Sequence, residues 1–149
     1  MQNLHLQSDS ECETPDYKLF SAGQIAAGTF FGSIIAGGLL LASNYSYLGD
    51  KKKALQTGVL SIFGFVLVLI VMLGLFDEMP EHPKRGLTHM LNFGIALGLW
   101  LLAKKLQGVE YVNHIERRGG RVSNWNVVAF VIVISILYFA AVVLFSTIS

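Results

Sequence analysis

Residues 19–49 read LFSAGQIAAGTFFGSIIAGGLLLASNYSYLG, a run of 31 positions without one acidic or basic side chain. Crossing the hydrocarbon core of a bilayer takes about 20 apolar residues in a helix. Helices of water-soluble domains rarely stay uncharged for so long, because one side usually meets solvent. This stretch therefore places the chain in a membrane. Three further runs repeat the pattern: Ala54–Phe76, Gly86–Ala103 and Val122–Ser149. All the acidic and basic residues lie outside the four runs.

Composition agrees. The chain has 149 residues, 53% of them hydrophobic and only 14% charged, where a soluble domain carries about 25% charged residues. A net charge of +1 gives no field for nucleic acid, which is not an expected partner. A single cysteine, Cys12, excludes an internal disulfide. The length suits one domain and leaves no room for a separate catalytic module.

Trimmed to their apolar cores, the spans are expected at about 24–45, 54–76, 87–103 and 125–147. The fold class that follows is all-α: an integral membrane bundle of four transmembrane helices arranged as two hairpins, occupying residues 17–149. Residues 1–16 are polar, acidic and without periodicity, and read as a disordered tail. The flank of the first run is acidic (Asp9, Glu11, Glu13, Asp16), unlike the basic flank of a cleaved signal peptide. The third run is short and holds His89 and Asn92; its alternative is a re-entrant or interfacial segment.

Four spans put both termini on one side, with Lys18, Lys84 and Arg85. The opposite loops hold Lys51, Lys52, Lys53, Lys104, Lys105, Arg117, Arg118 and Arg121. The positive-inside rule then sets those loops in the cytoplasm and both termini outside. Tyr45, Tyr47, Trp100 and Trp125 fall near the basic ends of their spans, where amphipathic rings favour the headgroup layer. In the last loop Leu106, Val109, Val112 and Ile115 mark one apolar helical face, so the third helix should run past the bilayer until Gly119-Gly120 stops it.

Within the spans, Gly28, Gly32 and Ala36 lie four apart on one helical face, and Gly94 and Gly98 repeat the device. Small residues at this spacing let helix backbones approach closely, either inside one monomer or against a second subunit or partner. Gln24, Thr29, Ser33, Ser61, His89, Asn92 and Ser135 can hydrogen-bond between helices. The Gln24, Thr29 and Ser33 side of the first helix is the candidate lining if several copies enclose a pore. No Asp, Glu, Lys or Arg lies inside a span, which weighs against ion-coupled transporters and proton pumps.

Chemical motifs are sparse. Asp77, Glu81 and His82 have the donor types of a cation site but no defined spacing, so no metal or cofactor is expected. Glu110 and His114 sit one helical turn apart. An ion pair explains that spacing as well as a catalytic Glu–His couple in a lipid-modifying enzyme does. The eight loop cations suit contact with anionic headgroups, at about 1 kcal/mol per charge.

The stretch Thr29-Phe-Phe-Gly-Ser-Ile-Ile-Ala-Gly-Gly38, with Asn44-Tyr45 and Leu48-Gly49, resembles the first half of a family of small bacterial four-helix membrane proteins. The likeness continues in Leu106-Gln-Gly108, His114, Gly119-Gly120 and Ser123-x-Trp125. It implies a bacterial inner-membrane protein of the four-helix layout and supplies no activity to carry over. The function expected is non-enzymatic: helix association in the membrane with a partner or with itself, as an immunity or accessory protein would require. An oligomeric, depolarising pore and a lipid-modifying enzyme are the alternatives.

Overall fold

The computed structural model describes residues 14–76 and 81–148, with side chains for residues 14–71, 86–137 and 140. The tail expected at residues 1–16 lies outside them up to residue 13, as do the side chains of Asp77, Glu81 and His82. In chain order the elements are β1 (Lys18–Leu19), α1 (Ala22–Tyr47), α2 (Lys51–Phe76), α3 (Glu81–Glu116), β2 (Gly120–Arg121) and α4 (Asn124–Ile148). The fold is all-α apart from one short parallel pairing of β1 with β2.

Local signals set the helix ends. Ser21 caps α1: its hydroxyl accepts from the Gln24 N–H, and the Gln24 side chain accepts from the Ser21 N–H. Gly49, at φ 83°, ends the first helix in the left-handed region open to glycine. Asp50 then accepts from the Lys53 N–H at 3.0 Å and opens α2. Arg118, at φ 60°, turns the chain out of α3, and Gly119 N–H closes on the His114 carbonyl at 2.8 Å.

The largest departure from expectation is inside α1. Ser33 has φ 81° and ψ 171°, which is not helical, and the chain reverses there. A straight helix from residue 20 to 44 would separate its ends by about 36 Å. Instead Asn44 hydrogen-bonds Phe20 directly. Across the fold-back Gly28 meets Leu40, and Gly37 meets Thr29 and the Ile25 carbonyl. A side chain at Gly37 would occupy the position of the Thr29 hydroxyl, so the two arms touch backbone to side chain. Gly38 does the same against Ser61 and seats the hairpin on α2.

This corrects one sequence-based expectation. The segment expected as a span at 24–45 is a helical hairpin, and its arms of about 16 and 21 Å are each too short for a core of about 30 Å. Both ends of the hairpin lie at one end of the molecule. Residue 18 sits beside the start of α4, and α4 runs away from it. Three helices are long and apolar enough to cross a membrane, Ala22–Tyr47, Lys51–Val71 and Gly86–Glu116; the described apolar stretch of α4, Asn124–Leu137, is shorter. Length and composition admit α1 to that set, but its geometry removes it.

The arrangement is also not two hairpins side by side. Among the described residues α1 is the hub, packed against α2, α3 and α4 in turn. Gly28 abuts Val127 and Gly32 abuts Val131, so the first arm of α1 runs parallel to α4. The core is made by Ile25, Leu40, Leu41, Tyr45, Ala103 and Val127, all around the hairpin. Beyond the tip at Ser33 the other helices continue without it. There Phe63, Leu67 and Ile70 of α2, Met90 and Phe93 of α3, and Ile136 and Leu137 of α4 are exposed. Soluble monomers rarely expose continuous apolar patches beyond a few hundred Å2, so this surface belongs in lipid or against another helix.

Candidate functional site

Three buried carboxamides, Asn44, Gln107 and Gln24, gather at one place, the open end of the hairpin. Asn44, on the second arm, is the centre. Its carbonyl oxygen accepts from the Phe20 N–H at 2.8 Å, and its amide donates to the Phe20 carbonyl at 2.8 Å and to Gln107 Oε1 at 3.0 Å. Gln107 of α3 in turn donates to the Leu41 carbonyl at 3.3 Å. Asn44 thus pairs with the chain entering α1 as a neighbouring strand would, and links it to α3. Gln24, on the first arm, donates to the Val122 carbonyl at 2.7 Å and to Asn124 Oδ1 at 2.9 Å, tying the hairpin to the start of α4. Asn44, Gln107 and Gln24 are all buried. In a low-dielectric setting such amides must be satisfied, and these are.

A second layer closes over them. β1 and β2 pair Lys18 with Gly120 and Leu19 with Arg121, and the Val122 N–H reaches the Leu19 carbonyl at 3.1 Å. His114, only 3% exposed, lies beneath Tyr17 with ring centroids 4.8 Å apart. Its Nε2–H donates to the Gly120 carbonyl at 3.0 Å, while buried Nδ1 has no partner among the described residues. Gly119 is needed here, because a Cβ would coincide with the imidazole. Tyr17 also stacks on Tyr47, at 6.3 Å and an interplanar angle of 1°, so the strap before α1 is held from both sides.

Positive charge surrounds this end. Lys51, Lys52, Lys53, Lys104, Lys105, Arg117, Arg118 and Arg121 are all exposed. Asp50 pairs with Lys53 at 2.9 Å, and the hydrogen bond from that ammonium, then the one from the Lys53 N–H, hold its carboxyl below the usual carboxylate range. Lys104 lies over the Trp100 ring at 5.2 Å.

The other residues singled out in the sequence scatter. Gly28, Gly32 and Ala36 spend their face inside the monomer, against Leu40, Val127 and Val131. Among the described residues, nothing lies within 4 Å of where a side chain would begin at Gly94 or Gly98. Thr29 is buried and bonds the Ile25 carbonyl at 2.8 Å, Ser33 forms the hairpin tip, His89 is exposed and Asn92 half-buried. The apolar face of Leu106, Val109, Val112 and Ile115 is exposed on the C-terminal part of α3. Glu110 is exposed and makes no ion pair with His114, whose ring turns to the strap. Among the described residues no three His, Cys, Asp or Glu side chains group as a metal site.

No family, curated protein or solved structure matches this chain. Chemically the cluster is a clasp: every amide is used in holding elements together, and no nucleophile stands beside a base. Asn44 and Gln107 are the residues that sequence reasoning did not place in a site. A signal was present for Asn44, a carboxamide inside a charge-free run, where an unpaired amide is costly.

Proposed function

We propose that this chain is a non-enzymatic integral membrane protein in which α2, α3 and α4 cross the bilayer around a re-entrant α1. At 25 residues, α4 is about 37 Å long and meets the thickness of the core. The hairpin then enters and leaves from the basic side. Nine of the 11 Lys and Arg residues lie on that side, leaving only Lys84 and Arg85 across the membrane. That bias sets the hairpin side in the cytoplasm, with the N-terminal end inside and the C-terminal end outside, in a bacterial inner membrane.

Its action is association within the membrane, with a second copy or another membrane protein. One observation carries this reading: Gly94 and Gly98 offer a close-approach face on α3 that none of the described residues fills. Exposed Met90, Leu97 and Leu101 flank it. The glycines of the first helix are already consumed, and so is the polar lining a pore would draw from Gln24 and Thr29. The separation of Glu110 from His114 removes the motive for a lipid-modifying enzyme.

Gly94→Leu with Gly98→Leu tests the reading, since neither position contacts any of the described residues of its own chain. Energy transfer between labelled copies in vesicles, and recovery of co-purifying membrane proteins, should both read the change. Loss of association with retained insertion is expected. Unchanged association in both assays contradicts the proposal.

A further inference from the structure

Between the first arm of α1 and α4 runs a cleft of about 750 Å3, and its two ends differ in chemistry. The mouth, at the basic end, is formed by Ser21, Arg121 and Asn124. The walls beyond it are apolar, with Ala27 and Phe31 on one side and Val128 and Ile132 on the other. Among the described residues, Arg121 is the only charged one that lines it.

We propose that this cleft binds one anionic phospholipid, its phosphate at Arg121 and one acyl chain along Phe31, Val128 and Ile132. The proposal rests on the membrane reading above. Four observations support it. The guanidinium is held in place before any ligand arrives: Arg121 Nη2 donates to Asn124 Oδ1 at 2.9 Å, and buried Gln24 fixes that oxygen from behind, also at 2.9 Å. One of its five N–H donors is thereby used, leaving four for a phosphate. The Ser21 hydroxyl accepts from the Gln24 N–H and keeps its own proton for donation. Finally α1 and α4 both begin at this mouth, at Ala22 and Asn124, so two positive helix ends and their first-turn amides flank the same point. The polar mouth at the headgroup level and apolar walls in the core match an amphiphile, and the single positive charge selects an anionic one.

The test is native mass spectrometry of the full chain, taken from carbonate-washed membranes, delipidated and titrated with phosphatidylglycerol or phosphatidylcholine of equal chain length. Wild type should retain one phosphatidylglycerol in preference. Arg121→Gln, at an exposed position, should lower that retention about tenfold and leave phosphatidylcholine unchanged. Ala27→Trp, also at an exposed position, should fill the cleft and lower retention of both lipids. Neutralising Lys51, Lys52 and Lys53 together should change neither. Equal retention of the two lipids, an unaffected Arg121→Gln protein, or equal loss in the triple-lysine variant overturns the site. So does displacement of the bound lipid by glycerol phosphate alone, which would mean the walls hold nothing. Release of the chain into the carbonate supernatant removes the membrane reading and this site with it. Recovery in the pellet without lipid preference overturns the site alone.

Discussion

The side-chain amide of Asn44 pairs with both the N–H and the C=O of Phe20, at 2.8 Å each, across 24 residues of sequence. A continuous helix cannot bring these residues together. The contact therefore defines α1 as a helical hairpin, and it latches the hairpin shut at the end where its two arms begin and finish. Non-helical backbone at membrane depth is tolerated only where protein surrounds it. The hairpin as a whole packs against α2, α3 and α4.

Removing the latch should be costly. Asn44→Ala strands the Phe20 N–H and C=O and deprives Gln107 of a donor, and each unsatisfied buried group costs about 1–3 kcal/mol. We expect a loss of about 3 kcal/mol in unfolding by denaturing detergent. Asn44→Asp should be worse still, because it keeps the acceptor, loses both donations and buries a charge. Equal stability of Asn44→Ala and wild type would show that Asn44 is not the latch.

The tip makes a prediction of opposite sign. Ser33, at φ 81° and ψ 171°, occupies a backbone region that essentially only glycine visits, at a strain of about 1–3 kcal/mol. Ser33→Gly relieves that strain and surrenders about 0.5–1 kcal/mol of unfolded-state entropy. The net is a stabilisation of about 1 kcal/mol. Ser33→Val should destabilise. Both are read from the same detergent unfolding midpoint, and a destabilised Ser33→Gly protein would place the reversal elsewhere.

Gly119 and His114 should behave as a unit. Gly119→Ala drives the imidazole from beneath Tyr17 and loosens the strap, so the amides of Leu19 and Val122 should exchange with solvent faster. His114→Ala removes the obstacle, and the double variant should then lose less than the two single changes added together. A coupling of about 0.5–3 kcal/mol is expected for groups in such contact. Strict additivity would mean the two do not share the space.

Much of this architecture was legible in the residues, and the reason for the rest is physical. Charge-free runs located all four helices, because lipid excludes charge wherever it occurs. The end at Gly119-Gly120 was visible as turn chemistry. Hydropathy does not record direction, so a helix that crosses and one that turns back read alike. The clues to the hairpin lay in excess and spacing: 31 uncharged residues where about 20 suffice, and Gly37-Gly38 beside Gly28 and Gly32. Glycines four apart announce close packing but not whether the neighbour is another helix or the same one folded back. Asn44 with Phe20 and Gln24 with Val122 were out of reach, since pairings across 24 and 98 residues depend on the reversal at Ser33. The proposed orientation depends on it too, since the fold-back groups Lys18 with the basic loops.

The central claim, that α1 enters and leaves on one face, is tested most directly by labelling single cysteines in inside-out vesicles with a membrane-impermeant maleimide. In a Cys12→Ser background the positions are Lys18→Cys, before the hairpin, Lys51→Cys, after it, and Lys84→Cys, near the start of α3. The account predicts that the cysteines at 18 and 51 react together and that the one at 84 stays protected until the vesicles are opened. Reaction at 51 alone, with 18 protected alongside 84, would mean that α1 crosses the bilayer and would contradict it.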